Sequence, residues 1–163
     1  EGNIILQVGK TFGHLYQSVF FKEIYSIVEG PPPDINLTNE KNNGNSVLKL
    51  INNKLIDSAH DVSSGGLILA LTEMCLFSGY ALKIEKPIKL SNLIKYYFGE
   101  DQGRYLLEIE PNNLQKVTKY LSESNIFFEK VAVVQKNYFE MTGEFKININ
   151  DLCEMNSKWY NSY

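Results

Sequence analysis

The sequence lacks the features that place proteins in membranes or direct them across one. Its 163 residues hold no apolar run close to the roughly 20 residues that a membrane-spanning helix needs. The first residues also lack the basic segment and the apolar stretch of a signal peptide. We therefore expect a cytoplasmic protein with no membrane partner.

The sequence also has little net charge and few cysteines. The formal net charge is −3, and the lysines are scattered rather than gathered into a basic stripe. Proteins that bind nucleic acid neutralise its phosphates with clustered Lys and Arg, so nucleic acid is not an expected partner. The two cysteines, Cys75 and Cys153, have no neighbouring Cys or His at metal-ligand spacing. This spacing argues against a zinc site and against a disulfide framework.

Several motifs of nucleotide-dependent and hydrolytic enzymes are missing. The sequence has no P-loop, dinucleotide-binding glycine fingerprint, nucleophile elbow or zinc motif. A self-contained reactive site is therefore not supported. The chain begins at Glu1, without a methionine and directly on a strand-like run. At this length one compact domain is expected, and we interpret residues 1–163 as a single domain taken from a longer, multidomain enzyme.

Strand-like and helix-like segments alternate along the chain. Apolar or alternating runs predict strands at residues 3–8, 80–84, 105–109, 126–128, 131–134 and 138–141. Helical spacing of apolar residues predicts helices at residues 15–28, from 36 or 38 to 55, 67–77, 111–121 and 149–160. A hairpin is expected near Asn137, and the helix at 67–77 is expected to be buried on both faces. This order predicts an α/β fold, with α+β possible, in which a mixed β-sheet packs against helices.

Two polar, glycine-bounded turns are the candidates for chemistry. The first, residues 60–66, reads His-Asp-Val-Ser-Ser-Gly-Gly and precedes a helix; we call it the glycine-pair loop. Paired glycines let a backbone approach another group closely, and the free N–H groups of a helix N-terminus attract phosphate or carboxylate. Candidate residues for binding substrate or nucleotide are Asp61, Ser63, Gly65 and Gly66. The structural alternative is an ordinary turn, in which a serine caps the helix and the histidine and aspartate hydrogen-bond one another.

The second turn, residues 99–104, reads Gly-Glu-Asp-Gln-Gly-Arg and leads into a strand; we call it the acidic loop. Carboxylates accept hydrogen bonds from ribose hydroxyls and amino groups and can reach a metal, whereas a guanidinium suits phosphate or carboxylate. Further candidates for contacts with substrate or nucleotide are Glu100, Asp101, Gln102 and Arg104. The alternative is a solvated turn closed by an Arg–carboxylate pair, and spacing alone does not decide between the two.

Neither turn supplies a reactive group. A histidine can act as a general base, but no carboxylate in the sequence is placed to orient His14. We predict no catalytic residue and no metal-ligand set within this chain.

The glycine-pair loop and the helix after it resemble a known signature. Residues 59–67, with Ala70-Leu71-Thr72-Glu73-Met74 behind them, are similar to Ala-His-Asp-Val-Ser-Asp-Gly-Gly-Leu…Ala-Leu-Ala-Glu-Met of the C-terminal domain of the aminoimidazole ribonucleotide synthetase superfamily. Within it, the chain looks most like the synthetase subunit of phosphoribosylformylglycinamidine synthase, on residues 13–18, the linker 29–33, the run 98–105 and the tail with Trp159. In two departures, Ser64 replaces an Asp and Tyr16 stands where Gly is common.

The resemblance implies the C-terminal-domain fold of that superfamily and a part in an ATP-dependent carbon–nitrogen ligase of purine biosynthesis. That enzyme converts formylglycinamide ribonucleotide (FGAR) to formylglycinamidine ribonucleotide with glutamine-derived ammonia. The resemblance implies ATP and Mg²⁺ as cofactors, with their ligands and the catalytic histidine mainly in preceding domains outside this sequence. The implied partners are those preceding domains, a glutaminase subunit, a small accessory subunit and the purine-precursor ribonucleotide. The isolated fragment is expected to be inactive.

Two alternatives stay open. The domain can be a non-catalytic scaffold that packs against its neighbours and docks the other subunits, or it can be the equivalent domain of a sibling enzyme such as a selenophosphate synthetase. The main hypothesis requires that the glycine-pair loop and the acidic loop surround one opening. It fails if they lie on opposite sides of the molecule.

Overall fold

The computed structural model describes residues 1–76, 78–85, 87 and 92–161. The strands among them are β1 Ile4–Val8, β2 Ser58–Asp61, β3 Ala81–Ile84, β4 Tyr105–Ile109, β5 Phe128–Gln135, β6 Tyr138–Met141 and β7 Phe145–Asn148. The helices are α1 Val19–Tyr25, α2 Leu37–Asn52, α3 Gly66–Leu76, α4 Leu93–Phe98, α5 Pro111–Glu123 and α6 Ile149–Asn161. In this part of the chain, none of the helices combines the length and the apolar character needed to cross a bilayer.

The strands form one mixed sheet in the order β2-β4-β1-β5-β3-β6-β7. Neighbouring strands are antiparallel, except that β3 and β6 run parallel. Helices cover both faces of the sheet, as the clusters of buried side chains below show. The predicted α/β fold, with a mixed sheet packed against helices, is confirmed.

Side chains alternate between two apolar cores, one on each face of the sheet. On β1, Ile5 enters a core built with α3, α4 and α6, whereas Leu6 enters the opposite core with α2 and α5. On β4, Leu106 joins the first core and Leu107 the second, and Leu6 lies directly opposite Leu107 in the register. The period of two therefore sorts each strand between the two helical layers.

The hairpin expected near Asn137 is wrong. Strands β5 and β6 follow one another in sequence, but β3 lies between them in the sheet. The tight antiparallel connection instead joins β6 to β7, where Phe139 pairs with Ile147. The segment from Phe145 to Asn148 was not predicted as a strand. A turn signal in the sequence does not show which strands will pair. The same turn is compatible with two strands that have a third strand between them in the sheet.

The first helix is shorter and more exposed than its apolar spacing predicts. The prediction was residues 15–28, but α1 covers only Val19–Tyr25, between the N-cap Ser18 and the left-handed C-cap Ser26 with φ 56°. None of its residues is buried. The apolar pattern is real, but the described part of the chain does not cover it.

Other boundaries differ by smaller amounts. The stretch predicted as a turn from residue 57 contains strand β2, and the pieces predicted at 126–128 and 131–134 are one strand, β5. Helix α3 is not buried on both faces, because Leu69 is 37% exposed and Glu73 is exposed. Residue 77, where the prediction ended that helix, lies outside the described residues. The helix starting near Asn36 is confirmed, since this side chain caps α2 by accepting from the Asn39 N–H.

Candidate functional site

The glycine-pair loop and the acidic loop are neighbours because β2 and β4 are. The two strands pair antiparallel, with Asp61 at the end of β2 opposite Tyr105 at the start of β4. The Val62 N–H extends the pairing by donating to the Arg104 carbonyl at 3.0 Å. The end of one strand and the beginning of the other therefore place both loops at one edge of the sheet.

Glu100 links the two loops by direct hydrogen bonds. Its Oε1 atom accepts from the Gly65 N–H at 2.8 Å and from the Val19 N–H at 2.7 Å. The carboxylate thus occupies the free N–H group that the sequence suggested for an external anion. It also fixes the first turn of α1 to the acidic loop.

The backbones of the two loops also touch. Gly66 has φ 70°, and a Cβ atom built there would lie 2.7 Å from the carbonyl oxygen of Gly99. Only glycine fits both the left-handed conformation and the close approach. The glycine pair does bring backbone close to another group, and that group is the acidic loop itself.

The loops share one opening, a cleft of about 400 Å³. The predicted residues that line it are Asp61, Ser63, Glu100, Asp101, Gln102 and Arg104. Gly65 and Gly66, also predicted to bind ligand, are buried and do not line it. The cleft also has a wall outside the two predicted loops, made of Tyr16, Gln17, Pro33 and Glu40. The condition set by the main hypothesis is therefore met, since the loops do not lie on opposite sides.

Asp101 is buried and fully engaged inside the protein. Its Oδ2 accepts from the N–H groups of Phe12 and Gly13 at 2.8 and 2.9 Å, and its Oδ1 accepts from the His14 N–H at 3.2 Å. A carboxylate that collects three successive backbone N–H groups holds that segment in a fixed shape. Asp101 therefore anchors residues 12–14 to the acidic loop.

Arg104 is 1% exposed and directs its guanidinium inward. Its Nη2 donates to the Gly99 carbonyl at 2.6 Å, its Nε to the Asp101 carbonyl, and its Nη1 to Thr11 Oγ1 at 3.1 Å. Burial lowers the pKa of Arg104, and the nearby Asp101 carboxylate opposes that fall. The arginine closes the acidic loop upon itself and leaves little donor capacity for a ligand.

A polar network continues from Arg104 across the sheet. The Gln7 side chain is fully buried on β1 and donates to Thr11 Oγ1 at 3.0 Å and to the Gly9 carbonyl. It lies opposite Glu129 of β5. Burial raises the pKa of Glu129, and a hydrogen bond from Tyr96 together with the Arg104 charge opposes the rise. This network supports the acidic loop from below, and no local sequence pattern predicts it.

The exposed polar groups of the cleft are fewer than the sequence suggested. Asp61, Ser63 and Gln102 are exposed, as is Ser64. His60 lies beside them, with its Nδ1 2.6 Å from the Asp61 carbonyl and its Nε2 3.4 Å from Glu73. The arrangement offers hydroxyl, amide and carboxylate groups to a ligand, and no nucleophile with an adjacent base.

A second, smaller cavity adjoins the cleft. It has a volume of about 280 Å³ and shares the wall formed by Glu40, Asp101, Gln102 and Gly103. The other side carries amide side chains of the early turns of α2, among them Asn39 and Asn42. The asparagine-rich stretch of the sequence is thus part of the site's surroundings. In the described ranges, no group of three or more His, Cys, Asp or Glu is placed to hold a metal ion.

Comparison with curated proteins finds relatives that share one name. The chain is 45% identical over 161 residues to phosphoribosylformylglycinamidine synthase subunit PurL of Pelagibacter ubique. The matched region covers 99% of this chain and 22% of the relative. The chain thus spans about a fifth of the length of the curated relatives it matches. The resemblance to the synthetase subunit of that enzyme is confirmed.

Two solved structures share the fold. T. maritima PurL complexed with FGAR matches with a TM-score of 0.76 at 15% identity, over 93% of this chain and 28% of that chain. T. maritima PurL complexed with ATP matches with a TM-score of 0.68 at 15% identity, over 93% of this chain and 26% of that chain.

The family itself is set by sequence. Residues 2–142 match the family described as AIR synthase related protein, C-terminal domain. This match covers most of the chain and includes β1, both loops and strands β2 to β6. The chain belongs to the family of AIR synthase related protein C-terminal domains.

Proposed function

We propose that this chain is the C-terminal domain of the synthetase subunit of a phosphoribosylformylglycinamidine synthase. The whole enzyme converts FGAR to formylglycinamidine ribonucleotide, using ATP and glutamine-derived ammonia. The relative at 45% identity carries the name of that subunit. In this proposal residues 1–163 are one domain of a longer cytoplasmic polypeptide, whose partners are a glutaminase subunit and a small accessory subunit.

One observation carries the proposal at the level of the site. Two loops that lie far apart in sequence meet around a cleft of about 400 Å³, and their exposed groups can bind but not react. A domain that brings polar groups to an open cleft without a reactive group is suited to complete a site built with another domain. The reactive groups then belong to the rest of the polypeptide.

The charges around the cleft indicate which part of a ligand it suits. The carboxylates of Glu40, Asp61 and Glu100 line it, whereas the guanidinium of Arg104 is turned inward. A phosphate group would be repelled by such a lining. The carboxylates and the side-chain oxygen of Gln102 would accept hydrogen bonds from ribose hydroxyls or amide N–H groups. We therefore assign to this domain contacts with the neutral polar part of the substrate or nucleotide.

ATP and Mg²⁺ fit this domain only at a distance. The described residues provide no carboxylate cluster for a metal ion and no outward-facing arginine in the cleft for a triphosphate. We place the ligands of both cofactors mainly in the remaining domains. The chemistry that ATP supplies there is activation of the substrate amide oxygen.

The test uses the full-length polypeptide assembled with its glutaminase and small subunits. Gln102→Ala and Asp61→Asn remove two exposed groups from the cleft. We expect KM for FGAR or for ATP to rise about 10-fold or more, because each lost hydrogen bond to a ligand is worth roughly 1–2 kcal/mol. Gln115→Ala, an exposed glutamine on α5 outside the cleft, is the matched control and should leave both constants unchanged.

A scaffold role is the second candidate, because Asp101 and Arg104 are committed to internal hydrogen bonds. Unchanged kinetics in both cleft variants, with normal subunit assembly, would favour it. A full-length assembly that forms no formylglycinamidine ribonucleotide from FGAR would remove the proposed enzyme altogether.

A further inference from the structure

Residues 16–28, which include α1, form an exposed apolar arm. Six of its apolar or aromatic side chains are between 39% and 65% exposed, namely Tyr16, Val19, Ile24, Tyr25, Ile27 and Val28. A single exposed apolar residue is ordinary, but a contiguous set marks a surface that another protein surface covers. The apolar pattern that predicted a longer helix thus describes a surface that the described residues leave open.

The arm has a fixed base. Gln17 Nε2 donates to the Gly30 carbonyl at 2.5 Å, and His14 Nε2 lies 3.0 Å from the Pro31 carbonyl. The two ends of the arm are therefore held together. Glu100 binds the Val19 N–H at 2.7 Å and so ties the arm to the acidic loop. An arm fixed in this way loses little conformational entropy when it docks.

An apolar groove runs beside the arm. It has a volume of about 400 Å³, lies between α1 and α4, and is lined by Phe20, Phe21, Tyr25 and Ile94 among others. The Phe20 ring packs on Phe98 with centroids 4.5 Å apart, which fixes one wall of the groove. Grooves lined by rigid aromatic rings accept apolar anchor side chains from a partner.

The arm carries almost no net charge. Its one cation and one anion, Lys22 and Glu23, lie 3.5 Å apart and offset one another. Aromatic residues with few charges are typical of the centre of a protein–protein interface, whereas nucleic acid and anionic lipid require clustered cations. The partner is therefore an apolar protein surface.

We infer that the arm and its groove dock onto another domain of the same polypeptide, next to the cleft. Tyr16 and Gln17 line the cleft and also begin the arm. Any domain that completes the cleft consequently meets the arm. The curated relative is long enough to supply such a domain, because the chain covers 22% of it. This inference rests on the proposed function, since it takes the parent polypeptide to be that of the relative.

The test uses the full-length polypeptide in its assembled enzyme, with hydrogen exchange of the arm as the readout. In the parent protein we expect the amides of residues 19–28 to exchange at least 10-fold more slowly than the same amides in the Ile24→Asp variant. Ile24→Asp and Val28→Asp should abolish this protection and lower the rate of product formation at least 10-fold. Leu48→Asp is the matched control, because Leu48 is 55% exposed on α2, apart from the arm. It should leave both readouts unchanged.

The outcomes separate this inference from the proposed function. Arm amides that exchange without protection in the active parent enzyme, or arm variants that behave like Leu48→Asp, would overturn the inference and leave the function standing. A change from dimer to monomer on sedimentation of Ile24→Asp, with product formation intact, would show that a second copy covers the arm and would also overturn it. Absence of product from the parent enzyme would instead contradict the function.

Discussion

The acidic loop and the arm reverse the usual distribution of polar and apolar residues. In the acidic loop, Asp101 and Arg104 are buried, and both side chains hydrogen-bond to backbone groups. In the arm, Ile24 and Val28 are 63% and 65% exposed. The loop is polar inside, because each charged group meets backbone partners. The arm is apolar outside, and the described residues do not cover it.

This comparison shows how local sequence misleads about roles. A run of charged residues suggested ligand contacts, but three of its four candidates make hydrogen bonds inside the protein. A run of apolar residues at helical spacing predicted a helix at 15–28, but the helix is shorter and none of its residues is buried. In both regions the residue types were read correctly and the partners were not, because partners are set by tertiary structure.

The largest effect should come from removing the carboxylate that organises the acidic loop. Asp101→Ala leaves three backbone N–H groups without their acceptor and leaves Arg104 as a buried charge without its counter-ion. We expect the free energy of unfolding to fall by about 3–5 kcal/mol. Urea unfolding followed by circular dichroism measures the change.

Two variants sharpen this prediction. Asp101→Asn keeps one acceptor oxygen and should lose less stability than Asp101→Ala. Ile24→Ala truncates an exposed side chain of the arm and should change the free energy of unfolding by less than about 0.5 kcal/mol. Equal stabilities for Asp101→Ala and Ile24→Ala would mean that the internal bonds of the loop do not hold the domain together.

A smaller effect should come from forcing apart the two loops. Gly66→Ala places a Cβ 2.7 Å from the Gly99 carbonyl oxygen, whereas a Cβ at Gly79, with a similar φ of 72°, meets no atom within 4 Å. Both variants place an alanine at a similar positive φ, so the difference between their free energies of unfolding measures the effect of the contact. We expect Gly66→Ala to be less stable than Gly79→Ala by about 1–3 kcal/mol, measured by thermal or urea unfolding. Indistinguishable values would show that the loops separate without cost.

Much of the fold was predictable from the sequence for local reasons. Helix α2 begins where the Asn36 cap predicts, and the alternation on β4 correctly placed Tyr105, Leu107 and Ile109 on one face. These features depend on the period of two or on a single capping side chain. The order of the strands was not predictable in this way, because the insertion of β3 between β5 and β6 is a long-range choice.

The candidate site was predictable in outline. Both loops and the glycine contact follow from residue types, and the shared cleft is the arrangement that the main hypothesis requires. The partner of the Gly65 N–H was not predictable, because nothing local points to Glu100, 35 residues away. The Gln7–Glu129–Tyr96 network was also missed, since each member sits on a different element and looks ordinary in its own segment.

The smallest expected effect concerns the charge of that buried network, and it separates the polar interior from the arm by pH. Burial raises the pKa of Glu129 above its ordinary value of 4.5, so the folded protein binds this proton more tightly than the unfolded chain. Stability should therefore fall as the pH rises from the ordinary pKa through the raised one.

Glu129→Gln removes the ionisation. We expect it to match the parent protein near pH 4 and to exceed its free energy of unfolding at pH 7. Glu29→Gln, at an exposed carboxylate next to the arm, should show no such gain. A Glu129→Gln variant that is less stable than the parent at pH 7 would mean that the ionised carboxylate, held by Tyr96 and Arg104, stabilises the acidic loop more than its burial costs.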